Sequence, residues 1–378
     1  MDVRVARLRG FFAADPANPE LACELADALF ATGAHEGARQ ALESLPDASR
    51  PAAGVQFRLG RCALVEGDYT GAEAVYQRLV AGGIDAPAIA HDLAFSQLCQ
   101  RRTDAALATV DDAIDRFGNS PALAVLRARI ALMQERYDDA LASLDTALTL
   151  DPDDLAAHGV RALVLLDAGR FDEAGAAADA TLRRDAEQHE ALLVASTLAL
   201  WRQDLTVAET LFQRALHAHP NSGRALSGFG QLLLLRNELA RGEEVLRAAT
   251  VAMPDHVGTW HALAWAQLLQ GHADEAEASY RSAYAIDRNF GDTHGGLALI
   301  AALRGDMEAA EQSVKVALRL DPNATTALYA QTLVQEARGD SAGADAALAH
   351  LLRDGPAAAM PVRDFAARLK QTLRPRAS

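Results

Sequence analysis

Arg127 and Arg161 stand 34 residues apart in this 378-residue chain, with Arg129 close to the first. Guanidinium groups recognise carboxylates bidentately, and these three admit two readings. In one they form a positive stripe that takes an acidic peptide segment or another anion. In the other their aliphatic stems pack while their heads pair with Asp or Glu of the adjacent helix, as half-buried arginines usually do. Histidines come as His217 with His219 and as His256 with His261. A metal needs three or four convergent ligands, and no compact His/Cys spacing supplies them, so no metal or other cofactor is expected. The histidines read as surface or capping residues. Asp111-Asp112, Asp138-Asp139 and Asp153-Asp154 fall at helix ends or exposed faces, where they cap and solvate. With no Gly-rich phosphate loop, no nucleophile elbow and no HExxH helix, the chain reads as non-catalytic.

A repeat positions these residues. Ala38, Ala72, Ala106, Ala140, Ala174, Ala208, Ala276, Ala310 and Ala344 recur with a 34-residue period, broken only by Gly242 in the same register. A small side chain at a fixed place in a repeated helix pair is what close-packed helix backbones require, and the period indicates a helical solenoid. Counting units from Pro19, the fifteenth position holds Gly33, Gly67, Gly169, Gly271, Gly305 and Gly339, with Arg101, Glu135, Gln203 and Asn237 in the remaining units. Glycine's tolerance of left-handed backbone lets the chain reverse there between two helices. Pro152, Pro220, Pro254, Pro322 and Pro356 mark the end of the second helix, which proline cannot continue.

Trp260, Leu263, Gly271, Ala276, Tyr280 and Ala283 in one unit, and Gly60, Gly67, Tyr69, Ala72 and Tyr76 in another, resemble the preferred residues of the tetratricopeptide repeat (TPR) family. The resemblance runs through ten units, residues 19–358, and implies an all-α fold: a right-handed α-solenoid of tandem helix-turn-helix repeats forming one domain. Residues 1–18 keep the phase as the second half of a unit, through Leu8, Phe11 and Pro16. Residues 359–378 read as a capping helix over Val362 to Leu373 and a short tail, with Arg363, Arg368, Lys370, Arg374 and Arg376 on its outer face.

In the family the first helices line a concave groove. The corresponding slots hold Phe57, Arg58, Arg61, His91, Phe95, Arg129, Trp201, Arg224, Gln231, His261, Trp265 and Tyr329, with Arg127 and Arg161 in the seventh slot of consecutive units. Such a lining implies peptide recognition, with rigid aromatic anchors and arginines for carboxylates. The family's clamp for chaperone tails, which begins with Lys and Asn at slots five and nine, finds Cys23 and Asp27 in the first unit and Phe57 and Arg61 in the second. A chaperone tail is therefore not the expected ligand.

A net charge of −15 argues against broad nucleic-acid binding, which draws on clustered Lys and Arg. No run approaches the roughly 18 to 20 apolar residues of a membrane helix, so no membrane insertion is expected. The first residues lack a secretory apolar core. Cys23, Cys62 and Cys99, odd in number and in three different units, do not suit a disulfide scaffold and point to a reducing cytoplasm. Abundant Ala, Arg, Asp and Leu suggest a bacterial source. The function read from these features is a non-catalytic scaffold or adaptor that binds a protein or extended peptide. Two alternatives remain: a regulatory or substrate-presenting subunit of an enzyme complex, for example a polymer- or glycan-modifying one, or a structural homo-oligomer built through the N-terminal half-repeat.

Overall fold

In the computed structural model, which describes residues 3–344, 346 and 347, helix follows helix with no strand among the described residues. The expected C-terminal capping helix and its basic face lie outside them. The described residues fall into two compact units that divide after Ala191.

The first unit opens with α1 (Val3–Ala14), then the pairs α2 (Pro19–Ala31) with α3 (His35–Glu43) and α4 (Ala53–Glu66) with α5 (Tyr69–Ala81). Next come α6 (Pro87–Cys99) with α7 (Thr103–Phe117), α8 (Pro121–Met133) with α9 (Tyr137–Leu150), and α10 (Leu155–Asp167) with α11 (Phe171–Arg184). The division falls in α12 (His189–Trp201). The second unit continues with α13 (Leu205–Ala218), α14 (Gly223–Leu235), α15 (Leu239–Ala252), α16 (Val257–Leu269) and α17 (Ala273–Ile286). It goes on through α18 (Gly291–Leu303), α19 (Met307–Leu320) and α20 (Thr325–Ala337).

Local chemistry sets these boundaries. Pro opens α2, α6 and α8 at the position where a missing N–H costs nothing. Asn18, Ser120, Asp154 and Asp204 accept first-turn backbone N–H groups at helix starts. At the turn inside each pair every fifteenth-slot residue has positive φ, the four non-glycines Arg101, Glu135, Gln203 and Asn237 included. Asp151 and Asp321, each before a proline, leave the helix in extended backbone.

The recurring alanines are all buried. Gly242 replaces one because a Cβ there would lie 2.9 Å from Leu234 Cδ2. From α2 to α9 each helix packs on its pair partner and on the next pair, while α2, α4, α6, α8 and α10 touch in a row. α1 packs on α2, burying Val5 and Leu8. In the second unit α14 touches α16, and α18 touches α20.

A polar clasp joins neighbouring pairs at one register. Arg39 of α3 meets Glu66 of α4 at 2.5 Å, Glu73 of α5 meets Gln100 beyond α6 at 2.8 Å, and Glu243 of α15 meets Gln270 beyond α16 at 2.7 Å. Glu209–Arg236, Glu277–Arg304 and Glu311–Arg338 repeat it.

Candidate interaction groove

The row of first helices in the first unit presents the expected groove residues on successive turns. On α4, Phe57 leans on Tyr76 with ring centroids 6.0 Å apart, and Arg61 lies over the Phe30 ring at 5.1 Å. On α6, His91 stacks on Phe95 at 6.5 Å with the rings 4° from parallel. Tyr76 is fully buried because Gly60 makes room; a Cβ there would lie 2.7 Å from Cζ of the ring. The Tyr76 hydroxyl donates to Asp92 Oδ2 at 3.3 Å, and His91 Nδ1 meets Asp92 Oδ1 at 2.9 Å. Burial, and then the Asp92 charge, push the Tyr76 phenol far above its usual range, so it stays a donor.

Phe57, Arg61, His91, Asp92, Ser120 and Leu123 line one pocket of about 340 Å³ between α4, α6 and α8. Ser120 caps α8 by accepting from the Leu123 N–H at 3.3 Å, which leaves its own hydroxyl proton to donate. The pocket thus combines aromatic walls, a cation, a carboxylate and a hydroxyl donor.

The other arginines expected in the groove of this unit are engaged. Arg58 holds Asp27 through two hydrogen bonds, 2.8 and 2.5 Å. Arg127 pairs with Asp111 at 3.1 Å and Arg161 with Asp145, each carboxylate coming from the preceding second helix. Both heads thus sit against carboxylates of the adjacent helix, the arrangement of the second of the two readings. Arg129 reaches Glu190 at the start of α12. Gln188 Nε2 secures the other Glu190 oxygen at 2.6 Å, in space left by Gly159, whose Cβ would meet Gln188 at 2.1 Å.

In the second unit Trp201, 56% exposed, and Arg224 and Gln231 lie at the surface, while Trp265 packs half-buried against the core. His261 bonds Thr293 Oγ1 at 2.8 Å and packs between Tyr280 and Phe290 at 5.4 and 5.2 Å. Burial lowers its pKa to about 4, so at neutral pH it offers a ring and a hydrogen bond but no charge. Tyr329, expected in the groove, is only 4% exposed and belongs to the core around Ala298 and Leu299. The cause is the approach of α20 to α18, where a Cβ on Gly295 would lie 2.4 Å from the Ala327 nitrogen. His256 accepts from the Thr259 N–H at 3.1 Å as a helix cap. Among the described residues no group of three His, Cys, Asp or Glu is placed to hold a metal.

Of the residues expected in the groove, Phe57, Arg61 and His91 line this pocket and Phe95 stacks on His91, while Asp92, Ser120 and Glu190 were not among those expected. Asp92 and Glu190 occupy groove-facing slots six and two, but a search for cations and aromatics passes over acids.

A sequence profile described as tetratricopeptide repeat matches residues 47–87, 92–155, 125–189, 160–223, 193–257 and 261–325. The chain belongs to the tetratricopeptide repeat family. No curated protein sequence matches it at a significant level. Among solved structures it is similar to the anaphase-promoting-complex hetero-tetramer Cut9-Hcn1, with TM-score 0.52 and 14% identity over 97% of this chain and 87% of that one. It is also similar to the human IFIT1 dimer with m7Gppp-AAAA, with TM-score 0.54 and 15% identity over 89% and 90% of the two chains. At this identity the likeness concerns the all-α repeat fold. No helix among the described residues is long and apolar enough to cross a membrane.

Proposed function

We propose that this TPR chain is a non-catalytic interaction scaffold, holding an extended segment of a partner protein along the first helices of its first unit. The observation that carries this is the convergence of Phe57, Arg61 and His91, from consecutive repeats, on one open pocket. Rigid aromatics lose little entropy on binding, and arginine with a hydroxyl donor fixes orientation. The family is generally an interaction scaffold, which supports the reading. Cys23 and Cys62 are buried free thiols, with Cys62 pushed up to about 11 by burial, which suits a reducing bacterial cytoplasm. Affinity capture with mass spectrometry tests the proposal by comparing wild type with Phe57→Ala/Arg61→Ala. A partner retained by wild type and lost from the variant is expected. Equal retention by both removes the pocket, recovery of the chain alone points to self-assembly, and activity that appears only with a captured enzyme points to a subunit role.

A further inference from the structure

We propose that Arg129, Gln188 and Glu190 form a releasable strap across α10, closed in this structure. Each repeat of a solenoid ordinarily contacts only its neighbours. Arg129, in the repeat before α10, instead pairs with Glu190 in the repeat after it, so the contact spans a whole unit. Gln188 completes the strap, its Nε2 donating to the second Glu190 oxygen at 2.6 Å.

The chain departs from its other repeats at two places under the strap. Phe57, His91 and Val125 occupy the fifth slot of the three preceding units, where α10 has Gly159. A Cβ on Gly159 would run into the Gln188 amide, so the bare backbone is the bed in which the strap lies. The second departure is at the last slot of the unit. Ser120 and Asp154 there cap α8 and α10 by accepting the N–H three residues on. Gln188 makes the same cap, its Oε1 accepting the Ala191 N–H at 2.7 Å, and its longer side chain also brings Nε2 to Glu190.

Cap and ion pair are thereby coupled, so the strap closes or opens as one element. Gln188 and Glu190 are buried, whereas Arg129 keeps 34% of its side chain exposed. The strap is fastened at the link that water reaches. When Arg129 lets go, Glu190 is left an unpaired buried carboxylate, whose gain on hydration exceeds what one amide hydrogen bond returns. Glu190 turns outward and Gln188 follows. The Ala191 N–H then loses its acceptor, and the Gly159 face of α10 is uncovered. The closed strap thus interrupts the row of first helices at α10, and release restores that stretch to it.

Hydrogen exchange read at single amides of the full chain tests the strap without any partner, so its outcome is independent of the scaffold reading. In Arg129→Ala the Ala191 amide is expected to exchange about ten-fold faster or more, the scale of a lost hydrogen bond to a charged group, with the amides of α2 to α5 unchanged. Gly159→Ala supplies the second variant. It keeps both members of the ion pair and replaces a helical glycine by a better helix former, so a merely structural glycine predicts slower exchange along α10 and no change at Ala191. The strap predicts faster exchange at Ala191, because the new methyl group dislodges Gln188. An unchanged Ala191 amide in either variant, or acceleration spread evenly from α2 to α11, overturns the strap.

Discussion

Arg129 and Glu190 join α8 to α12 past the glycine of α10. Burial alone would raise the Glu190 carboxyl; the Arg129 charge and hydrogen bond outweigh it and hold the group below the usual carboxylate range. A depressed folded value means that the stabilisation is complete above the unfolded value of about 4.3 and is lost as pH falls through the folded one. Arg129→Ala strands a buried carboxylate. It should lower the free energy of unfolding at pH 7 by about 2 to 3 kcal/mol, under the range for fully buried pairs because Arg129 keeps 34% of its side chain exposed. In urea unfolding at pH 7, 5 and 3 the gap to wild type should narrow at the lowest pH. A gap below about 0.5 kcal/mol at pH 7, or one constant with pH, contradicts this role.

Among the elements, the turn inside each pair demands left-handed backbone whatever residue the sequence places there. Glu135, at φ 57°, is exposed and carries the strain that glycine avoids in the neighbouring repeats. Left-handed backbone costs an ordinary residue about 1 to 2 kcal/mol, and glycine's extra unfolded-state entropy returns part of that. Glu135→Gly should therefore stabilise by about 0.5 to 1 kcal/mol, raising the thermal midpoint in calorimetry; a lowered midpoint contradicts the strain argument. The helix pairs were legible in the sequence because alanine, glycine and proline act within a few residues of their own positions. The pairing of Arg127 with Asp111 and of Arg161 with Asp145 is equally periodic, yet it is invisible until two helices are laid side by side. The clasps hide for another reason: their charges exchange sides between Arg39–Glu66 and Glu277–Arg304, so neither slot shows one residue type. Tyr329 misled because its slot faces the groove only where neighbouring first helices stand apart, and Gly295 lets α20 come too close to α18.

For the whole molecule, a net charge of −15 sets a field that repels acidic partners at long range. The central claim is that partner binding runs through the first-helix face of the first unit. Photo-crosslinking in the source cells tests it most directly, with p-benzoylphenylalanine in place of Phe57 on α4 or of the exposed Val80 on the second helix α5. The predicted result is a discrete crosslinked partner from position 57 and none from position 80; a partner captured from position 80 alone would contradict it.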